Sequence, residues 1–346
     1  MTPDPLTILL VAPNWLGDAV MALPAMADVQ RRYPSARLVV AARPGVADLF
    51  AMVPMIGEVI RLEWRGELWR PAPLQRDAER LRQSGAELAI LFPNSFASAW
   101  LVSRAGIPER WGYARDLRRR LLTRAAPRER RAMHQAQYYQ SMLRAFGIDA
   151  GPLEPPVLVP QAAVAGARTL LAERGWDGRN PLVVLAPGAA YGKAKQWLPA
   201  HVVRLIESLT RDRHTTCVLV GSRGDAATTA AIRAAVPGDL APRVIDLAGA
   251  TSLEMLAGVL AASQACVVND SGAMHLAAAV GAPVVALFGP TIVEATRPLP
   301  RAGGRIEILT HRVWCRPCML RECPIDHRCM RGITPQQVLS ALEAMQ

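Results

Sequence analysis

The chain has almost no lysine. Of its 40 basic residues only Lys193 and Lys195 are lysines; the rest are arginines. Aromatic residues are scarce as well, at 5% of 346. No helix-turn-helix, RNA-binding sheet motif or zinc-finger spacing accompanies the arginines, so nucleic acid is not an expected partner. No apolar run reaches the roughly 18 residues needed to span a bilayer. The opening Met1–Thr2–Pro3–Asp4–Pro5 lacks the basic region of a signal peptide, which predicts a cytoplasmic protein. The glycine triplet of a dinucleotide-binding fingerprint is missing after the first strand, and a Walker A spacing fails because Ala194 follows Gly192–Lys193.

What remains is an ordinary globular composition, 51% hydrophobic and 20% charged, long enough for two domains that each bury a core. The formal charge is +11, and ten arginines fall between Arg104 and Arg131, including Arg118–Arg119–Arg120. Such a stretch is either a face for a polyanion or anionic lipid, or the solvated surface of an arginine-rich chain.

Apolar runs and helical periods alternate along the chain. In the first half, strands are predicted at 6–12, 37–42, 58–62 and 88–92, with helices at 19–32, 46–52, 74–84 and 132–147. Residues 151–160 hold four prolines and read as an extended linker. Alternation then resumes, with strands at 182–186, 216–220, 244–246, 265–268 and 284–288. The helices between them are placed at 164–174, 199–212, 225–235, 252–262 and 273–280. Thr334–Pro335–Gln336–Gln337 opens a last helix with a capping threonine and a proline at the first helical position. This pattern predicts an α/β fold of doubly wound parallel sheets, in which ligands bind beyond the carboxyl ends of the strands.

Polar residues gather at those strand ends. Asp270–Ser271–Gly272 separates a buried strand from a helix; free helix amides suit an anion, Gly272 permits close backbone approach, Asp270 accepts from hydroxyls, and His275 lies one turn on. The simpler reading is that Asp270 and Ser271 only cap the helix. Both lysines lie in the loop 187–197, where an ammonium suits a diphosphate. Gly17 and Asp18 follow the first strand; a carboxylate there is favoured in its charged form by the helix dipole and able to accept a proton, or serves only as an N-cap. Asp225 is placed to hold ribose hydroxyls, and the Gly249 loop to wall a base.

In this order, Asn14–Trp15–Leu16–Gly17–Asp18, Pro93–Asn94–Ser95–Phe96, Pro187–Gly188–Ala189 with Lys195–Gln196–Trp197, Gly221–Ser222, Leu247–Ala248–Gly249 and Asn269 through His275 resemble the lipopolysaccharide heptosyltransferase family, glycosyltransferase family 9. The resemblance covers nearly the whole chain. It implies a glycosyltransferase B architecture, two Rossmann-like doubly wound domains facing a central cleft. Residues 1–155 would bind the acceptor, 156–333 would bind ADP-heptose, and a helix at 334–346 would pack back toward the first domain. The implied reaction is inverting transfer of heptose from ADP-heptose to a heptosyl-Kdo2-lipid A acceptor in the lipopolysaccharide inner core, with no cofactor required for catalysis. Peripheral contact with the anionic inner-membrane surface goes with that acceptor.

Carried over by position, Asp18 is the general base, Lys195 contacts the donor phosphates, and Asp270, Ser271, Gly272 and His275 form the donor turn. Asp225 matches an acidic ribose contact, and Asn94 and Ser95 fall in a motif facing the cleft. Gly17, Gly188, Lys193 and Gly249 complete the candidate substrate contacts, Lys193 without a family counterpart. A sister transferase with another acceptor or sugar, a nucleotide-sugar epimerase and a non-catalytic nucleotide-sugar sensor are the rival readings.

The six cysteines divide in two. Cys217 and Cys266 sit in strands and read as buried apolar residues. Cys315, Cys318, Cys323 and Cys329 cluster around His327, and in a cytoplasmic chain such clustering favours a structural zinc over disulfide pairs or plain thiols. The segment 315–329 would then staple a loop near the final helix.

Overall fold

In a computed structural model that describes residues 5–67 and 70–345, the chain divides into two units, Met1–Leu158 and Val159–Gln346. The signal-peptide reading of Met1–Asp4 and the end of the terminal segment at Gln346 lie outside the described residues. The first unit has strands β1 (Thr7–Val11), β2 (Arg37–Ala42), β3 (Glu58–Arg61), β4 (Leu88–Leu91), β5 (Glu109–Tyr113) and β6 (Arg124–Ala126). Its helices are α1 (Leu16–Arg32), α2 (Pro44–Ala47), α3 (Pro71–Gln83), α4 (Phe96–Arg104) and α5 (Gln135–Arg144). Every strand pair is parallel, in the order β3-β2-β1-β4-β5-β6. The inner strands β1 and β4 are buried along nearly their whole length, as unbroken apolar runs of a sheet covered on both faces should be.

The second unit repeats the plan. Its strands are β7 (Leu182–Ala186), β8 (Thr216–Leu219), β9 (Val244–Asp246), β10 (Ala265–Asn269), β11 (Val284–Phe288) and β12 (Ile306–Thr310), ordered β12-β11-β10-β7-β8-β9 and again parallel. Helices α6 (Gln161–Glu173), α7 (Pro199–Arg213), α8 (Ala226–Ala235), α9 (Leu253–Ala262), α10 (Gly272–Ala279), α11 (Val293–Thr296), α12 (Arg328–Arg331) and α13 (Pro335–Ala344) accompany them. In each unit the winding reverses once, between β1 and β4 and between β7 and β10. Loops at the carboxyl ends of those pairs flank the crevice where doubly wound sheets bind ligands.

Local chemistry explains the boundaries. α1 begins at Leu16, earlier than position 19, because Trp15 holds extended dihedrals and the helix starts without a side-chain cap. Asp18 is therefore inside the first turn and is not the N-cap. Position 46–52 is split between α2 and a 3₁₀ turn at Asp48–Met52. α5 is shorter than 132–147 because His134 caps it: its Nδ1 accepts from Ala136 N at 3.1 Å, and the Gln137 side chain accepts from His134 N at 3.3 Å. α13 has the capping box foreseen for it: Gln337 backbone N donates to Thr334 Oγ1 at 3.3 Å, and its side-chain Oε1 accepts from Thr334 N at 2.8 Å.

Three strands were not legible. β5 and β6 lie inside the arginine-rich stretch, and β12 follows residues that read as a loop. The prolines of 151–160 do not free the chain at once: Gly151 N donates to Asp28 Oδ1 at 3.1 Å and Leu158 N to Met52 O at 2.8 Å, so the first unit extends to Leu158. The final helix packs on α7, β11 and β12 of its own unit. Among the described residues no helix is long and apolar enough to cross a membrane.

Candidate functional site

In the second unit the site begins with Asn269, the last residue of β10. It is 1% exposed, and its amide ties the two switch-point loops together. Nδ2 donates to Pro187 O at 2.7 Å and Gly188 O at 3.3 Å, while Oδ1 accepts from Trp197 N at 3.2 Å. The loop after β7 is thus locked to the end of β10. That lock sets Lys195 Nζ 2.7 Å from Asp270 Oδ2, with side chains 12% and 4% exposed. Thr291 Oγ1 donates to the same carboxylate oxygen at 2.7 Å. An ammonium carries three donors, so Lys195 keeps others for a ligand while Asp270 holds it. The ammonium also lies 4.7 Å from the Tyr191 ring centroid.

Ser271 occupies the N-cap of α10 but makes no side-chain cap hydrogen bond, and Asp270 is spent on Lys195 and Thr291. Capping therefore does not account for the Asp270–Ser271 pair. The first amides of this eight-residue helix have no side-chain cap and carry the positive end of its dipole. His275, one turn into α10, is buried at 3%, as Asp270 is at 4%.

The remaining second-unit candidates are sorted by the structure. Lys193 is exposed and stands apart from the ion pair of Lys195. Asp225 Oδ2 accepts from Ser222 N at 2.8 Å and Ser222 Oγ at 2.7 Å, which closes a capping box on the turn before α8. Its other oxygen lies so close to Gly188 that a Cβ there would meet it at 2.2 Å; Gly188 is needed for packing before any ligand is considered. Gly249 has φ +71°, where glycine is favoured, and its N donates to Gly221 O at 2.9 Å.

In the first unit, Asp18 follows β1 and sits in the opening turn of α1, near enough to Tyr139 for its charge to add to the burial that raises that phenol's pKa. Gly17 precedes it, half-buried. Across the switch point, Ser95 caps α4, its Oγ accepting from Ser98 N at 3.3 Å. Asn94 Nδ2 donates to the Tyr138 hydroxyl at 3.0 Å, and its side-chain carbonyl is buried with no hydrogen-bond partner among the described residues.

Arg118 is the residue that sequence reasoning placed wrongly. It was counted in a basic face, yet it is 0% exposed. Nε donates to Tyr113 O at 3.0 Å, and Nη1 donates to Pro93 O and, at 3.2 Å, to Ser98 Oγ. Burial pushes its guanidinium down to about 10, still charged at neutral pH. Arg110 is spent on the carbonyls of Leu121 and Ile107, and Arg124 lies 4.5 Å from the Trp111 ring centroid. Arg118 and Arg110 are therefore internal ties near the sheet edge, while Arg124 is exposed with its guanidinium over an aromatic ring. Arg119, Arg120, Arg128, Arg130 and Arg131 remain exposed.

The cysteine segment is far from the donor loops in sequence but not in space. Tyr191 Oη donates to Met319 O at 2.8 Å, Ala194 N to Arg321 O at 2.9 Å, and Arg316 Nε to Gly289 O at 2.7 Å. It buttresses the lysine loop. Cys315, Cys318 and Cys323 all lie within electrostatic reach of Cys329, whose pKa is raised first by burial. All six cysteines are free thiols, and among the described residues no three His, Cys, Asp or Glu side chains gather closely enough to hold a metal ion. Burial pushes Cys217 and Cys266 up to about 12, which leaves them unreactive.

A model of the family described as glycosyltransferase family 9 (heptosyltransferase) matches residues 75–328. The chain is 32% identical over 343 residues to lipopolysaccharide heptosyltransferase 2 of Escherichia coli and 31% identical over 345 residues to the enzyme of that name in Salmonella typhimurium. In both cases 98% of each chain is covered. The solved structure of E. coli ADP-heptose lipopolysaccharide heptosyltransferase II superposes with a TM-score of 0.84 at 28% identity, covering 98% of each chain.

Proposed function

From the premise that the chain belongs to glycosyltransferase family 9, the heptosyltransferases, we propose that it transfers heptose from ADP-heptose to a heptosyl-Kdo2-lipid A acceptor in lipopolysaccharide core synthesis. Its relatives named heptosyltransferase 2 support that acceptor over the one used in the preceding heptose transfer. The observation that carries the reading is the Lys195–Asp270 pair beside the uncapped start of α10, at the switch point of the second sheet. It combines a held cation, free amides and a carboxylate, the set that a nucleotide diphosphate sugar requires.

In the mechanism, Asp18 accepts the proton of the acceptor hydroxyl as that oxygen attacks the anomeric carbon of the donor. The bond to the diphosphate breaks on the opposite face, so configuration inverts. Lys195 and the amides at 271–273 stabilise the negative charge that grows on the departing ADP. Asp270 keeps the ammonium in place, and Asn269 keeps the lysine loop against β10. Work on a lipid-anchored acceptor places the protein at the cytoplasmic face of the inner membrane.

A structural zinc on the four clustered cysteines is a separate proposal that the transfer does not use. As arranged, the thiols would have to draw together on the metal. Metal analysis of purified protein tests it: one zinc per chain supports it, and none refutes it.

The functional test is transfer from ADP-heptose to two acceptors, Kdo2-lipid A with and without the first heptose. Product only with the heptosylated acceptor is expected. Product only with the bare acceptor would make this a transferase of the first heptose, and donor turnover without any acceptor would favour an epimerase.

A further inference from the structure

We propose that the turn carrying Leu117 in the first unit is a docking point for an anionic lipid bilayer. Leu117 is 95% exposed, the most exposed of the large apolar side chains described. Its φ is +56°, and Asp116 before it has φ +50°. Two successive non-glycine residues in the left-handed region are costly, and a leucine in water gains nothing to offset that.

The flanking residues hold the turn in this conformation. Asp116 Oδ2 accepts from Phe96 N at 2.5 Å, which fixes the turn to the start of α4. Arg118, fully buried, anchors the other side through Tyr113 O and Pro93 O. The leucine is presented by a rigid bracket and not by a loose loop.

The surroundings select the partner. Arg119 and Arg120 follow on exposed positions, Arg115 precedes, and Asp116, the only acid among residues 115–120, has its carboxylate engaged by Phe96 N. Phe96, 38% exposed, stacks on Trp100 with ring centroids 6.2 Å apart. A soluble polyanion would satisfy the arginines and leave Leu117 in water. A bilayer takes both: the apolar tip enters the acyl boundary while guanidinium groups meet headgroup phosphates. The inference rests on the lipid-anchored acceptor proposed above, although its readout does not depend on transfer.

The test is co-sedimentation of the whole chain with phosphatidylglycerol or phosphatidylcholine vesicles, comparing wild type, Leu117→Asn and the double variant Arg119→Ala, Arg120→Ala. Asparagine tolerates the left-handed region, so Leu117→Asn should fold with an unchanged or higher Tm. Wild type is expected to bind phosphatidylglycerol vesicles, less so as salt rises, and phosphatidylcholine weakly. Leu117→Asn should bind about tenfold more weakly with ADP affinity intact, since a buried leucine side chain is lost. The double variant should show reduced salt dependence. Equal binding by wild type and Leu117→Asn overturns the proposal, as does equal binding to both vesicle types or to neither. Loss of ADP affinity in wild type would sink the donor-site reading instead, leaving the vesicle result to stand alone.

Discussion

Lys195 and Asp270 illustrate what a buried charge pair does for a binding site. Removing either partner leaves an uncompensated charge in a poorly hydrated place, which costs far more than an exposed pair is worth. Asp270→Ala is expected to destabilise the protein by about 3–5 kcal/mol, read from urea unfolding, because the lysine remains. Lys195→Gln should cost less stability, since Thr291 still donates to Asp270, but should weaken ADP binding about tenfold or more. An unchanged ADP affinity would remove Lys195 from the donor site. These two residues were legible because lysine is so rare here and because Asp270 interrupts an apolar pattern at a strand end. Asn269 was quoted in the motif without a role; a buried amide closing an apolar strand is the signal that marks it. Arg118 carried no such signal. Its neighbours in sequence are exposed arginines, and only the fold shows that Pro93 O and Tyr113 O needed its donors.

At the scale of elements, α1 matters most in the first unit, because its opening turn holds Asp18 and its far end is clamped by Asp28. Asp28 is 1% exposed and accepts from Gln140 Nε2 at 2.9 Å and Gly151 N at 3.1 Å, with Arg31 paired to it. Burial nevertheless raises its pKa above 3.8. The sign follows from proton uptake: between the unfolded and the raised folded value, the native state binds more protons than the unfolded chain. This carboxyl's contribution is therefore most favourable below pH 3.8 and is lost as pH rises through the folded value. Asp28→Asn should lack that loss, so its Tm relative to wild type should climb as pH rises above 3.8; a flat difference would contradict the assignment. The inner strands and most helices could be read from apolar runs and caps. β5, β6 and β12 could not: β6 and β12 lie at sheet edges, where a side that meets solvent admits arginine and glutamate freely, and β5, paired on both sides, opens on Glu109–Arg110, which interrupts its apolar run.

On the scale of the whole molecule, one winding order is used twice, and each copy places its candidate residues at the carboxyl ends of its own switch-point strands. That placement explains why loops distant in sequence could be grouped within each unit, Asp18 with Asn94 in the first and Lys195 with Asp270 in the second: a parallel sheet brings all its βα loops to one edge. The arrangement of cysteines could not be assembled so, since their loop has no repeating period to fix it. The transfer is assigned to a lysine, helix amides and a carboxylate base, so product formation should persist within about twofold in excess EDTA; collapse that magnesium restores would show that a metal shares the charge on the leaving diphosphate.

The most direct measurement is heptose transfer to heptosyl-Kdo2-lipid A by wild type and Asp18→Asn, with ADP affinity measured on both. The account predicts transfer by wild type and a fall of about 10²-fold or more in kcat for the variant, with ADP bound equally well. Transfer by Asp18→Asn at the wild-type rate would contradict the assignment of the base, and no transfer by wild type despite bound ADP-heptose would contradict the acceptor.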